Sequence, residues 1–271
     1  MNRSTSATRS NAAARRAFAL LTLAAFALSG CSTQPSAPAE TPATTPAPTT
    51  SASARVEGFF TPPPIDLSGV IAYGDITAAR SMTVVVNKHR PLSEQAYVPA
   101  KLVLPAGIPN AAGTPLQADA AQALEAMAAD AQKSGISIVM ASGYRSYETQ
   151  ISTYNSYVRG YGQAAADTTS ARPGFSEHQT GLAADLSAVG SGCTIADCFE
   201  TTAPGQWLAA NSWRFGYILR YPKGAQAITG YNFEPWHFRY VGMVVASQMH
   251  EKGIGTLEEY FGLEAAPDYL P

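Results

Sequence analysis

Glu234-Pro235-Trp236-His237-Phe238-Arg239-Tyr240-Val241 carries the pattern that decides the fold. Successive side chains of a strand point to opposite sides, so His237, Arg239 and Val241 share one face and Trp236, Phe238 and Tyr240 share the other. An aromatic alternation of this kind normally faces a core. The face opposite the aromatics then holds a histidine close to Glu234, and both residue types are suited to chemistry.

The neighbouring segments supply the rest of a domain. Met82 to Val86 reads as a strand, and Pro91 to Pro109 as a proline-punctuated connection. Thr114-Pro115-Leu116-Gln117 has a capping threonine, a proline at the first helical position and a glutamine at the third, which together predict a helix start. Leu116, Ala120, Leu124, Met127 and Ala131 continue it at three- and four-residue steps until Gly135. Ile136 to Ala141 is a compact apolar run expected to be a buried strand, delivering the chain into Ser142-Gly143-Tyr144-Arg145. A helix is expected from Ser146 to Gly160, with Glu148 in its first turn favoured by the macrodipole. Leu182 to Leu186 reads as a strand with Asp185 on the face of Ala183 and Ser187; Tyr217 to Tyr221 is another. Trp207 to Asn211 and Met243 to Glu251 have helical patterns, and Trp213 and Phe215 are core candidates. The expected fold class is α+β, a single domain with a central antiparallel sheet flanked by helices.

The ends of the chain have a different character. Arg3, Arg9, Arg15 and Arg16 precede an apolar run from Ala17 to Leu28 that is short for a bilayer span, which is the composition of a secretory leader. Leu28-Ser29-Gly30-Cys31 resembles the lipobox of bacterial lipoproteins, where cleavage precedes a cysteine that becomes lipidated; an ordinary secretory signal is the alternative. The expected organisation is a lipoprotein signal peptide at 1–30, a Ser/Thr/Pro/Ala-rich tether at 31–65 and a catalytic domain at 66–271. Loss of the leader shifts the formal net charge from −2 to −6, so nucleic acid is not an expected partner. Cys193 and Cys198 are expected to pair as a disulfide outside the membrane, pinning a local excursion; two thiol ligands to a metal would need further cysteines or histidines nearby in sequence.

The chain has only four histidines. His89, between Lys88 and Arg90, and His250, near the end of an amphipathic helix, read as surface groups. His178, Asp185 and His237 offer two imidazoles and a carboxylate, the nitrogen and oxygen ligands zinc accepts. Three protein ligands leave a fourth tetrahedral position open, as in catalytic rather than structural zinc sites. Glu234, three residues before His237, is then the natural general base.

Three longer motifs carry a family resemblance. Ser142-Gly143-Tyr144-Arg145-Ser146, then Pro173-Gly174-Phe175-Ser176-Glu177-His178-Gln179-Thr180-Gly181-Leu182-Ala183-Ala184-Asp185, then Glu234-Pro235-Trp236-His237-Phe238-Arg239-Tyr240-Val241-Gly242 resemble the signatures of VanY-type D-alanyl-D-alanine carboxypeptidases. The resemblance implies one Zn2+ held by His178, Asp185 and His237, with Glu234 as catalytic acid/base. It also implies that Arg145, Gln150 and Ser176 engage the terminal carboxylate or scissile carbonyl of a peptidoglycan stem peptide. Ala225-Gln226-Ala227 departs from the common pattern before the Ile228-Thr229-Gly230 turn, where relatives often carry charges. Cleavage of a DD bond, cleavage of an LD bond and peptide binding without cleavage are the readings that follow. The expected setting is a monomer, lipid-anchored on the extracytoplasmic side of a bacterial membrane.

Overall fold

The computed structural model describes residues 74–271 apart from 189 and 191. The predicted leader, the tether and Cys31 lie outside the described residues. In chain order the elements are strands β1 (Leu102–Val103) and β2 (Leu116–Gln117), helix α1 (Ala118–Lys133), strand β3 (Ile138–Ser142), helices α2 (Tyr147–Tyr161) and α3 (Gln163–Asp167), and strand β4 (Ala183–Ala188). Helix α4 (Ala203–Asn211), strand β5 (Tyr217–Leu219), helix α5 (Gln226–Thr229), strand β6 (His237–Tyr240) and helices α6 (Met243–Lys252) and α7 (Leu257–Tyr260) follow.

Four strands form an antiparallel sheet in the order β3-β4-β6-β5, and β1 pairs with β2 in a separate two-stranded ribbon. The mixed helix-and-sheet architecture is the one expected from sequence. The two faces of the sheet differ as the alternation predicts. Ala184, Leu186, Trp236, Phe238 and Tyr240 join Leu124, Met127 and Ala131 of α1 in the main core. On the other side, Asp185 pairs directly with His237, and Ala183 with Arg239. A one-residue slip would exchange the two sets, so the buried aromatic face fixes the register that brings the polar residues together.

Three local expectations are corrected. Met82 to Val86 is not a strand; Val84, Val85 and Val86 are buried, but the carbonyls of Met82 and Val84 accept from Arg239 Nη2, and that of Val85 accepts from Arg90 Nε. Guanidinium donors replace the ladder a neighbouring strand would supply. The first long helix begins at Ala118, because Leu116 and Gln117 pair with β1 before the chain turns. Thr114 Oγ1 is buried without a hydrogen-bond partner and caps nothing. The connection from Pro91 to Pro109 contains β1, whose two residues gave no periodic signal. By contrast α2 starts where expected, with Ser146 Oγ accepting from the Thr149 N–H.

Candidate active site

His178 lies in a 3-10 turn, Glu177–Thr180, closed by Gly181 in the left-handed conformation (φ 68°). A Cβ at Gly181 would approach Leu102 Cδ2 to 3.0 Å and Gln117 N to 3.2 Å, so both backbone sign and space require glycine. The turn is held by Gln117, which donates to Gly181 O from its backbone and to Thr180 O from its side chain, both at 2.8 Å. Gln179 Nε2 adds a bond to Gln95 O at 2.7 Å. Arg145 N donates to His178 O at 3.1 Å, which docks the first motif on the second.

The three expected ligands converge. One ligand atom each from His178, Asp185 and His237 lies within 4.8 Å of the other two, and all three residues are buried. His178 Nε2 is 3.3 Å from Asp185 Oδ2, and His237 Nδ1 is 3.3 Å from Asp185 Oδ1. Asp185 Oδ1 nevertheless has no hydrogen-bond partner of acceptable direction. Close approach without a directed bond is what lone pairs aimed at a common point produce. Ligands at 2.0–2.1 Å from zinc in a tetrahedron stand about 3.3 Å apart, the distance of each imidazole nitrogen from the Asp185 oxygen it faces. The residues present therefore fit a zinc ion.

The tautomers suit that use. His178 Nδ1 meets Gly143 O at 2.8 Å; a carbonyl only accepts, so Nδ1 carries the proton and Nε2 keeps its lone pair. His237 is arranged in reverse, with Nε2 3.3 Å from Glu177 Oε2 and Nδ1 directed at Asp185. Burial pushes the pKa of His178 below its ordinary value, although Asp185 works against this. For His237 burial also lowers, but the carboxylates of Asp185 and Glu177 prevail and bring it to about 9. Asp185 is held well below the carboxylate range: burial raises it and the two imidazoles more than offset that.

Glu234 is placed by its own backbone, its N–H donating to Tyr221 O at 3.1 Å and its carbonyl accepting from the His237 N–H at 3.2 Å. Its Oε2 stands 3.6 Å from His237 Nδ1, beside the ligand set. Burial lifts its pKa to about 8; His237 lowers and Asp185 further raises it. A carboxyl poised near neutrality is suited to taking and returning a proton.

Behind the ligands lies a buried charge network. Glu177 Oε1 accepts from Arg220 Nε at 2.9 Å and Arg239 Nη1 at 2.8 Å, while Arg220 also makes a two-pronged contact with Glu258 at 2.9 and 2.7 Å. Arg220, Arg239 and Glu258 are fully buried, and Asn87 Nδ2 donates to Glu258 Oε1. Burial would raise Glu177, but Arg220 and Arg239 hold it well below the usual carboxylate range. This network was not foreseen from sequence. The signal for it was Arg220 inside the apolar run Tyr217 to Tyr221, and Arg239 on the face of His237, since a charge in a buried strand needs a partner.

A cleft of about 110 Å³ opens over this centre, and Arg145, Ser176, His178, Asp185, Glu234 and His237 all line it. Gln150 does not. Its side chain is buried, accepting from Arg145 Nη1 at 3.0 Å and donating to Ala171 O at 2.7 Å, so it holds Arg145 in place from behind the cleft wall. Trp236 both lines the cleft and joins the core, and Tyr221 packs its ring 4.9 Å from that of His237. Cys193 and Cys198 are joined in a disulfide near the cleft residue Ile195. His250, on the surface, stacks on Trp213. Trp213 packs against a smaller apolar cluster, whereas Phe215 is in the main core.

Comparison with known proteins agrees with this geometry. The family model for VanY, D-alanyl-D-alanine carboxypeptidase, matches residues 113–243, which contain all four residues at the centre. YodJ of Bacillus subtilis (strain 168) is 37% identical over 200 residues, 72% of each chain. The structure of the LdcB LD-carboxypeptidase is similar with a TM-score of 0.64 at 38% identity, covering 68% of this chain and 87% of that one. A variant of the vancomycin-resistance D,D-pentapeptidase VanY in complex with Zn(II) has a TM-score of 0.56 at 34% identity, covering 66% of this chain and 97% of its own. This chain is an enzyme of the carboxypeptidase type and belongs to the VanY family of D-alanyl-D-alanine carboxypeptidases.

Proposed function

We propose that this chain is a zinc-dependent carboxypeptidase that hydrolyses the bond before a C-terminal D-alanine in peptidoglycan stem peptides. The observation that carries this reading is the convergence of His178, Asp185 and His237 with Glu234 beside them in one cleft. A zinc ion bound there supplies a Lewis acid that polarises a carbonyl and eases deprotonation of water. Glu234, as carboxylate, takes the proton of the attacking water and then gives it to the departing amine nitrogen. Arg145 is oriented by Gln150 and Ser142, which its Nη1 and Nη2 contact at 3.0 and 3.2 Å. Its charge at the cleft balances the negative oxygen that develops on the scissile carbonyl or the terminal carboxylate of the peptide. Ser176 offers a hydroxyl on the same wall.

Glu234→Gln tests the assignment: it should keep one equivalent of zinc and lose activity by about 10²–10⁴-fold, the usual contribution of a positioned acid/base. Near-normal turnover by that variant would remove Glu234 from the role. The likeness to LdcB supports a second reading, cleavage of the LD bond of a tetrapeptide. Mass analysis of products from a pentapeptide and a tetrapeptide decides between the two bonds, and tight binding without product from either would indicate a binding module. The Leu28-Ser29-Gly30-Cys31 motif supports a lipid anchor on Cys31 and an extracytoplasmic location; detergent-phase partition that survives Cys31→Ser would refute it.

A further inference from the structure

The Cys193–Cys198 segment bears a feature the assigned chemistry does not use. Ile195 is the single non-glycine residue with positive φ among the described residues, at 50°. A β-branched side chain is disfavoured there, and such a conformation persists only where the surroundings enforce it. The enforcement is visible. Cys193 and Cys198 close the segment with their Cα atoms 5.5 Å apart, and Thr194 Oγ1 lies 2.9 Å from Ser187 Oγ on the strand that carries Asp185. At the far end Phe199 is completely buried in the main core.

What this clamp presents is an apolar side chain at the cleft. Ile195 lines the same cleft as the ligand set, yet it is 46% exposed, whereas His178, Asp185, Glu234 and His237 are buried. Ile195 therefore stands at the mouth together with the half-buried Tyr157, above a buried polar floor. The buried ligand set at the floor is where the scissile end of a peptide must reach. A carboxypeptidase substrate enters with its C-terminus innermost, so the part that meets the mouth is the residue on the amino side of the terminal pair. We propose that Ile195, held by the Cys193–Cys198 disulfide, is a specificity-determining residue that seats the aliphatic side chain of that preceding residue. The inference rests on the carboxypeptidase reading above.

The test compares a long and a short substrate, N,N-diacetyl-L-lysyl-D-alanyl-D-alanine and N-acetyl-D-alanyl-D-alanine, with the zinc-loaded wild type, Ile195→Ala and Cys193→Ser/Cys198→Ser. Loss of an aliphatic contact in an open pocket should raise KM for the long peptide about tenfold and leave kcat within twofold. The short peptide should be handled alike by all three proteins. The double serine variant, which keeps Ile195 but frees its backbone, should show the same selective loss. Equal losses on both peptides, or no loss on the long one, would overturn the proposal for Ile195; an unaffected double variant would overturn the role of the disulfide. A wild type that cleaves neither peptide, nor a tetrapeptide ending in one D-alanine, would instead refute the underlying carboxypeptidase reading.

Discussion

Glu177→Gln probes the layer behind the proposed zinc ligands. Arg220 and Arg239 both donate to Oε1 of Glu177, and Oε2 faces His237 Nε2. In the variant the amide oxygen must stay with the two arginines, so the NH2 group takes the place of Oε2. Two donors cannot face each other, and His237 responds by carrying its proton on Nδ1, the atom directed at Asp185 and needed as a ligand. Loss of the partner that sets a ligand's tautomer weakens metal binding by about 10–100-fold. Loss of the charge also leaves Arg239, fully buried, with only a neutral amide oxygen and backbone carbonyls as partners. Breaking a buried ion pair in this way destabilises by about 3–5 kcal/mol. At about 2–4 °C per kcal/mol for a domain of this size, the melting temperature should fall by about 6–20 °C. Zinc affinity measured by chelator competition, alongside thermal melts, reads both effects. Glu258→Gln serves as the comparison: it disturbs Arg220 from the other side and should lower the melting temperature while leaving zinc affinity within about threefold, because it does not touch His237. If Glu177→Gln bound zinc as tightly as wild type, the reasoning about the His237 tautomer would be refuted.

Other outcomes follow from the same geometry. In metal-free protein, His237 at about 9 and Glu234 at about 8 both hold protons more firmly than in the unfolded chain, whose values are near 6.5 and 4.5. Their contribution to stability is thus complete at low pH and is lost as pH rises, between about 4.5 and 8 for Glu234 and between 6.5 and 9 for His237. Melts from pH 5 to 9 should reveal a decline of a few kcal/mol, which saturating zinc abolishes; a flat or rising profile would contradict it. Gln150→Ala removes the acceptor that orients Arg145 and should raise KM about tenfold with zinc content unchanged, read by steady-state kinetics and metal analysis. Leu124→Ala, at a fully buried core position on α1, should cost about 2–5 kcal/mol in denaturant titration while leaving kcat per folded molecule intact.

The parts of this molecule that were legible in the sequence are those whose physics is local. The helix that starts at Ser146, the apolar step of Leu124, Met127 and Ala131, and the two-faced strand of His237 each declare themselves within a few residues, and the structure has the corresponding elements. Sequence reading failed where distant groups supplied what neighbours normally do. Met82 to Val86 has the composition of a strand, but Arg239, more than 150 residues later, takes the carbonyls of Met82 and Val84. Thr114 has the residues of a helix cap around it, yet β1 captures Leu116 and Gln117 first. The same long reach explains why the zinc-type ligands could be named while their support could not. A histidine and an aspartate announce their chemistry by residue type, whereas Glu177 becomes the partner of His237 only because Arg220 and Arg239 hold its carboxylate in place, and Glu258 is drawn in because Arg220 has donors left over. That chain of contacts runs from α7, outside the span matched by the family model, to a ligand at the centre of it. The turn α7 is therefore linked to the candidate site, reaching His237 through two buried arginine–carboxylate pairs rather than through proximity to the cleft.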